Sequence, residues 1–196
     1  DQPHIAVLLA KAAAERGQIL PRAYYPIPAF IPDGLPVSRA LALAIARRES
    51  EFDPAAQSSV GARGLMQVMP DTAAEVAARM GEASSAARLI NDPAFNVRMG
   101  SAYLARLVET YGPAIALVAS GYNAGPSRPR KWVQDYGDPR LGSAPGGADI
   151  VDWVETIPFT ETRTYVMRVA ESVVIYRARL RGQSGPVNIT AELTGR

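Results

Sequence analysis

Prolines and glycines divide this chain into segments of helical length, and this punctuation restricts its fold more than any other feature. The 196 residues include 16 prolines and 16 glycines. Proline lacks a backbone N–H and locks φ, so helix interiors and central strands exclude it. Between the breaks, apolar residues recur at helical spacing. The sequence therefore predicts a mainly α domain with irregular loops and no strand larger than a hairpin.

The best-marked helix follows Ser38, which is placed as an N-cap. We expect this helix to end near Ser50, because Asp53-Pro54 marks a turn. Residues 57–69 are rich in Ser, Gly and Met and show no helical period. They predict a loop or a short hairpin.

Further helices are predicted along the rest of the chain. One begins at Pro70, where Thr72 and Glu75 have the spacing of a capping box. Others are predicted over 93–112, from Pro113, over 148–155 and over 160–181. The last of these carries an apolar stripe, formed by Val166, Val169, Val173, Tyr176 and Leu180.

The two ends of the chain have separate patterns. Residues 3–16 predict an apolar helix stopped at Gly17, and the Pro-rich passage 21–36 predicts an extended segment, since such proline spacing does not suit a helix. The tail after Gly182 has no clear period and is expected to be either disordered or docked.

Composition excludes several kinds of chemistry. The chain has no cysteine, which excludes a disulfide framework, a thiolate nucleophile and a Cys-based zinc site. Its one histidine, His4, lies beside the amino terminus, which makes a Ser-His-Asp triad or a His-based metal site improbable. No apolar run is long enough to form a transmembrane segment. The formal charge of +2 is scattered, without the basic run typical of nucleic-acid binding.

The chemistry must therefore rest on carboxylates, hydroxyls, amides and Lys or Arg, and Glu49 is the leading candidate. A glycoside-cleaving site needs an acid whose pKa is raised by an apolar setting. Glu49 ends an apolar helix, with Ile45 one turn earlier and Phe52 three residues later. Periodicity alone equally fits a solvated glutamate in a last helical turn, so the pattern leaves both interpretations open.

Four segments read together resemble the soluble lytic transglycosylases. Residues 44–54 (AIARRESEFDP) resemble the catalytic-glutamate segment of that family, and 64–67 (GLMQ), followed by Met69-Pro70, match its second motif. Residues 121–125 (GYNAG) differ from the family's usual AYNAG only at Gly121. Residues 155–163 (ETIPFTETR), with Tyr165-Val166, are close to its final block. Four segments in this order make chance resemblance very improbable.

The resemblance implies a goose-type lysozyme-like fold and a peptidoglycan-cleaving activity. The family cuts the β-1,4 bond between N-acetylmuramic acid and N-acetylglucosamine and forms 1,6-anhydro-N-acetylmuramic acid. The substrate's own N-acetyl group assists, so one carboxylate suffices. Glu49 is implied to act as acid and then as base. Neither a cofactor nor a metal is implied.

The same resemblance implies roles for further residues. Tyr122 is implied to be catalytic, near the developing positive charge. The implied substrate-binding residues are Ser58, Met66, Gln67, Met69, Asn123 and Glu155. Taken singly, Met66 suits core filling, Asn123 suits a turn, and Ser58 and Glu155 suit a solvated surface. Glu161, Arg163 and Tyr165 are expected to be structural.

The resemblance also sets the expected organisation and setting. It implies a catalytic domain over 35–181, preceded by a lead-in over 1–34 and followed by a tail over 182–196. The lead-in is expected to be the remnant of an upstream helical domain. Export to the periplasm is expected, with the signal absent from this chain. The expected partners are peptidoglycan glycan strands and cell-wall synthesis or envelope-assembly proteins, without nucleic acid.

Two alternatives stay open. A lysozyme-type muramidase would hydrolyse the same bond and release a reducing sugar. A non-catalytic peptidoglycan-binding module would bind without cleavage. The four-segment match favours the transglycosylase.

Overall fold

The structure, a computed structural model, describes residues 2–196 and is mainly helical, as predicted. Strand-like pairing among the described residues is limited to isolated bridges, Gln57 with Arg63, Arg63 with Val68, and Asp138 with Gly147. The helices are α1 (Pro3–Ala14), α2 (Pro21–Tyr24), α3 (Arg39–Ser50), α4 (Pro70–Met80), α5 (Arg88–Asn91), α6 (Pro93–Tyr111), α7 (Ile115–Ala124), α8 (Ser127–Tyr136), α9 (Ile150–Thr156), α10 (Thr160–Arg181) and α11 (Ile189–Thr194).

Several predicted boundaries are confirmed because their caps act as expected. The Ser38 side chain accepts a hydrogen bond from the Leu41 amide at the start of α3, and that helix ends at Ser50. The helix α6 begins with proline in its first turn, where the missing N–H costs nothing. The long helix α10 has the predicted bounds.

Other predictions were wrong. The helix α4 is capped by Met69 without a side-chain hydrogen bond, so the capping box of Thr72 and Glu75 does not form at its start. In the α10 stripe Leu180 is 36% exposed, because it lies in the last turn of the helix. The Pro-rich passage contains the single turn α2, since proline is tolerated at a helix start.

Two compact units divide the chain, Asp1–Tyr103 and Leu104–Arg196. In the first unit α1 packs against α2, and the core includes α3, whose residues 40–46 are all buried. In the second unit α7 packs against α8, α10 and α11, and residues 114–121 are buried throughout. Within residues 2–196, no helix combines the length and apolarity that crossing a membrane requires.

Candidate active site

Glu49 lies in the last turn of α3 and is half-buried. Residues 40–46 of the helix are apolar and buried, Arg47 is half-buried, Arg48 is exposed, and the next residue after Glu49, Ser50, is 9% exposed. Glu49 therefore lies where the helix passes from the core to the surface. Such a position suits a group that must meet a ligand while its backbone stays fixed.

The end of α3 is anchored on the Pro-rich lead-in. Arg47 donates a hydrogen bond from Nε to the Tyr24 carbonyl over 2.8 Å. Its guanidinium also lies 4.5 Å from the ring centre of Tyr24 and 4.4 Å from that of Tyr25. These contacts fix the helix two residues before Glu49.

A buried hydrogen bond joins the first two sequence motifs directly beside Glu49. The Ser50 hydroxyl donates to the Leu65 carbonyl over 2.7 Å. It also lies within 3.3 Å of the Ala46 carbonyl of its own helix. The bond places the 63–68 loop, which contains the second motif, against the α3 terminus.

Hydrogen bonds to Asn96, a residue that was not singled out from the sequence, hold the 63–68 loop in place. Asn96 is fully buried on α6 and accepts a hydrogen bond from the Met66 amide over 2.9 Å. Its amide nitrogen donates to the carbonyls of Arg63 at 2.7 Å and Leu89 at 2.9 Å. A signal was present, because an asparagine between Phe95 and Val97 in an apolar helix must find buried partners.

Unusual backbone conformations cluster in these two segments. In the described chain, the non-glycine residues with positive φ are Glu51 at 52°, Phe52 at 66° and Gln67 at 46°. Non-glycine residues enter this region at a cost, and such strain concentrates at functional sites.

The predicted binding residues of this unit have different surroundings. Ser58 accepts a hydrogen bond from the Ala62 amide over 2.9 Å and so closes its own turn. Gln67 donates from its side chain to the carbonyls of Ala56 and Gly64, both over 3.0 Å. Met69 is 40% exposed and offers an apolar surface to a ligand.

The burial of Met66 does not agree with its predicted role in substrate binding. Its side chain is fully buried, and an added Cβ on Gly100 would lie only 2.6 Å from its sulfur. The residue therefore supports the 63–68 loop from the core side and presents no side-chain surface to a substrate. Its unbranched chain fills the space that Gly100 leaves open.

In the second unit a hydrogen bond joins the third and fourth motifs. Tyr122 and Asn123 lie in the last turn of α7 and are half-buried. Asn123 accepts from the Thr162 hydroxyl over 2.6 Å and donates to Glu161 over 3.4 Å. Asn123 thus links α7 to the first turn of α10. The sequence reasoning did not single out Thr162, which is 2% exposed.

Glu155 is exposed near the end of α9. Its side chain lines a surface pocket of about 350 Å³ together with Arg163, Met167 and Glu171. Arg163 donates to the Glu155 carbonyl over 2.9 Å, and Tyr165 is 2% exposed. These contacts agree with structural roles for Arg163 and Tyr165.

The chemistry available around Glu49 is that of a carboxyl group at a rigid helix end. The described residues form no group of three His, Asp or Glu that could hold a metal ion. A single carboxyl can exchange a proton with a reacting oxygen, which is the task of a general acid or base.

Comparisons with known proteins identify the kind of domain. A family model described as "Transglycosylase SLT domain" matches residues 35–140. The "Soluble lytic murein transglycosylase" of Escherichia coli (strain K12) is 39% identical over 146 residues, which cover 74% of this chain and 21% of that protein. A "Putative soluble lytic murein transglycosylase" of Haemophilus influenzae is 37% identical over 164 residues, covering 84% of this chain and 26% of that protein.

Solved structures agree with the sequence relatives. The 70 kDa soluble lytic transglycosylase of Escherichia coli has a TM-score of 0.77 at 31% identity, over 92% of this chain and 29% of that one. The lytic transglycosylase Slt of Pseudomonas aeruginosa, solved as an inactive variant with glutamine in place of a glutamate, has a TM-score of 0.67 at 33% identity. That match covers 95% of this chain and 26% of that one.

Fold and motifs together define a helical domain of the lysozyme-like kind found in lytic transglycosylases, which confirms the predicted fold class. The chain belongs to the transglycosylase SLT domain family, as the four motifs indicated. It spans about a fifth to a quarter of the length of the curated relatives reported above.

Proposed function

We propose that this chain is a peptidoglycan lytic transglycosylase in which Glu49 is the acid and base. The observation that carries the proposal is the buried hydrogen bond from Ser50 to Leu65, which holds the second motif against the helix end that bears Glu49. A proton donor must keep its place relative to the reacting oxygen, and a buried neighbour bonded across motifs provides this rigidity.

The relatives support the same activity. Those of Escherichia coli and Haemophilus influenzae bear the name soluble lytic murein transglycosylase, the latter as putative. The Pseudomonas aeruginosa protein is inactive when a glutamate is replaced by glutamine. Glutamine keeps the size of the side chain and removes the exchangeable carboxyl proton, so loss of activity on that change fits acid-base chemistry.

The reaction uses Glu49 twice. Its carboxyl proton passes to the oxygen that leaves C1 of the N-acetylmuramic acid residue, while the substrate's N-acetyl oxygen supports C1. The Glu49 carboxylate then removes the proton of the C6 hydroxyl, and O6 bonds to C1. The 1,6-anhydro ring closes, the carboxyl group is protonated again, and no water is consumed.

The other predicted residues have supporting roles in this proposal. Tyr122 orients the sugar near the developing positive charge, and Asn123 and Glu155 bind the glycan. Met69 provides an accessible apolar contact, and it is 40% exposed. Ser58 and Gln67 hold the loops that would meet the substrate, through their own hydrogen bonds.

The proposed setting follows from the substrate. Peptidoglycan glycan strands are the partner, and the periplasm is the compartment in which the chain would meet them. Envelope-assembly proteins are a further class of partner in this proposal. The domain organisation proposed is a catalytic part over 35–181 with flanking segments 1–34 and 182–196.

Mass spectrometry of the products from purified peptidoglycan tests the proposal. We expect muropeptides that end in 1,6-anhydro-N-acetylmuramic acid from the parent and none from Glu49→Gln at unchanged thermal stability. Glu75→Gln, on the exposed face of α4, is the matched control and should keep full activity. Reducing ends carrying an added water would instead identify a muramidase. Binding without release would identify a binding module.

A further inference from the structure

The helix α1 makes polar contacts with the turn that follows Glu49. We infer that His4 and Lys11 of α1 are positioning residues that hold Glu49 in its reactive place. The inference rests on the proposed function, because it requires Glu49 to be the reacting carboxyl. It assigns a role in catalysis to a helix that lies before the four family motifs.

Both contacts converge on Glu51, two residues after Glu49. The His4 ring nitrogen Nδ1 lies 3.0 Å from the Glu51 carbonyl oxygen. Because a carbonyl oxygen can only accept, Nδ1 carries the proton in this contact. The Lys11 ammonium lies 2.7 Å from the Glu51 carboxylate. One helix therefore holds both the backbone and the side chain of the same residue.

Glu51 is a residue that needs such support. It is the C-cap of α3 and has a left-handed backbone at φ 52°, and Phe52 follows at φ 66°. Two successive non-glycine residues in this region are unfavourable and persist only when neighbouring contacts impose them. The carbonyls at a helix end also lack partners within the helix. The His4 donor supplies one for Glu51.

The spacing along α1 places the two residues that contact Glu51 on the same face of the helix. His4, Val7 and Lys11 are three and four residues apart and so lie on one side of the helix. Val7 is fully buried between the two polar residues. Its burial holds this face of α1 against the core, and the two polar residues on either side of it reach Glu51.

These contacts affect the position of the Glu49 carboxyl group. Arg47 and Ser50 anchor the α3 terminus through Tyr24 and Leu65, and His4 adds a contact at Glu51, where the helix ends. Without the His4 bond the left-handed turn after Glu49 loses one of its supports, and the Glu49 carboxyl, two residues away, is held less narrowly in its reactive position. A displacement of this kind lowers the rate of the chemical step more than it lowers the affinity for substrate.

The test compares variants of α1 on soluble peptidoglycan glycan strands, with kcat, KM and melting temperature measured for each. We expect His4→Leu and Lys11→Met to keep KM within about twofold, and His4→Leu to lower kcat about tenfold. Lys11→Met should have a smaller effect, because that pair is partly exposed. His4→Asn offers a side-chain N–H near the Nδ1 position and should restore kcat to within about threefold of the parent.

Val7→Ala distinguishes the positioning of Glu49 by His4 from a general contribution of α1 to stability. It removes packing from the same face of α1 and leaves both polar contacts in place, so it should lower the melting temperature and keep kcat within about threefold of the parent. An unchanged kcat in His4→Leu would overturn the inference. So would a loss of kcat in Val7→Ala that matches His4→Leu at equal loss of stability. If Glu49→Gln itself retains full activity, the proposed function fails, and the positioning role falls with it.

Discussion

At Gly64 the 63–68 loop passes so close to α5 and α6 that a side chain does not fit. An added Cβ would lie 2.3 Å from the Leu89 carbonyl oxygen and 2.4 Å from the Asn96 amide nitrogen. The backbone at Gly64 also has φ of +73°, which favours glycine. The glycine of the second motif is thus explained by two physical constraints, a close approach and a left-handed conformation.

We predict that Gly64→Ala destabilises the protein far more than Gly81→Ala. Gly81 has a similar φ of +69° but nothing within 4 Å of an added Cβ. Its replacement should cost about 1 kcal/mol from the backbone alone. Gly64→Ala should cost about 3 kcal/mol or more, since it also displaces Asn96 from its buried hydrogen bonds. Urea unfolding measures both, and similar losses for the two variants would contradict the close approach.

Asn96 and Met66 have roles that could not be predicted from the sequence one residue at a time. The sequence placed Met66 in a motif, but burial decides whether a side chain faces the core or a ligand, and burial depends on Gly100 of another helix. Asn96 belongs to none of the four motifs, although two of its hydrogen bonds hold the 63–68 loop and a third joins it to Leu89 of α5. A motif therefore contains core residues such as Met66 as well as accessible ones, and residues that support it, such as Asn96, come from distant positions.

At the scale of elements, α11 resolves the two alternatives for the tail in favour of docking. Leu193 and Thr194 are 2% and 3% exposed, and the helix packs against α7, α9 and α10. Asn188 caps it by accepting from the Ala191 amide over 3.0 Å. Arg177 of α10 pairs with Glu192 through two guanidinium nitrogens. The tail thereby covers α7, the helix that carries Tyr122 and Asn123.

We predict that Leu193→Ala lowers the free energy of unfolding by about 2–4 kcal/mol, because it leaves a cavity in a buried contact. Val187→Ala is the matched control, since Val187 is 69% exposed in the segment just before α11. It should change stability by less than about 0.5 kcal/mol. Equal effects in chemical denaturation would show that α11 does not contribute to the core.

Element prediction succeeded where helices were long and capped, and failed for short or polar ones. Helices α3, α6 and α10 combine apolar spacing with clear ends, and their bounds were close to those predicted. The helix α8 was missed because its sequence, SRPRKWVQDY, has few apolar residues and a proline. That proline is the third residue of the helix, where the amide lacks an intrahelical acceptor anyway. The six residues of α11 are too few to show a period.

At the scale of the whole molecule, four motifs scattered through the sequence become two bonded pairs. Ser50 joins the first motif to the second, and Asn123 joins the third to the fourth. The order of motifs was visible in the sequence. Their pairing was not visible, because it depends on the hydroxyl groups of Ser50 and Thr162. Neither residue type indicates such a contact in a sequence. Each unit therefore contains two of the four motifs and joins them by a hydrogen bond.

Charge is also organised within each unit, by carboxylates held beside arginines. In the first unit the hydrogen bond from Arg98 lowers the pKa of Glu82, and the hydrogen bond from the Phe95 amide lowers the pKa of Asp92. In the second unit the hydrogen bonds from Arg140 lower the pKa of Asp138, over 2.7 Å from Nη2 to Oδ2. A carboxyl whose pKa is lower in the folded state stabilises the fold above its unfolded pKa, and this contribution is lost as pH falls through the folded pKa.

We predict that Asp138→Asn weakens the protein at neutral pH and has little effect in acid. Its carboxylate is 15% exposed and Arg140 is 38% exposed, so the loss at about pH 7 should be about 1 kcal/mol. As the pH falls from 7 through the lowered pKa of Asp138, the parent's own carboxylate becomes protonated, and the two proteins should converge in stability. Urea unfolding across this range measures the difference. Glu109→Gln, an exposed change on α6, is the control, and a difference between parent and Asp138→Asn that stays constant with pH would contradict the assignment of the Arg140 contact.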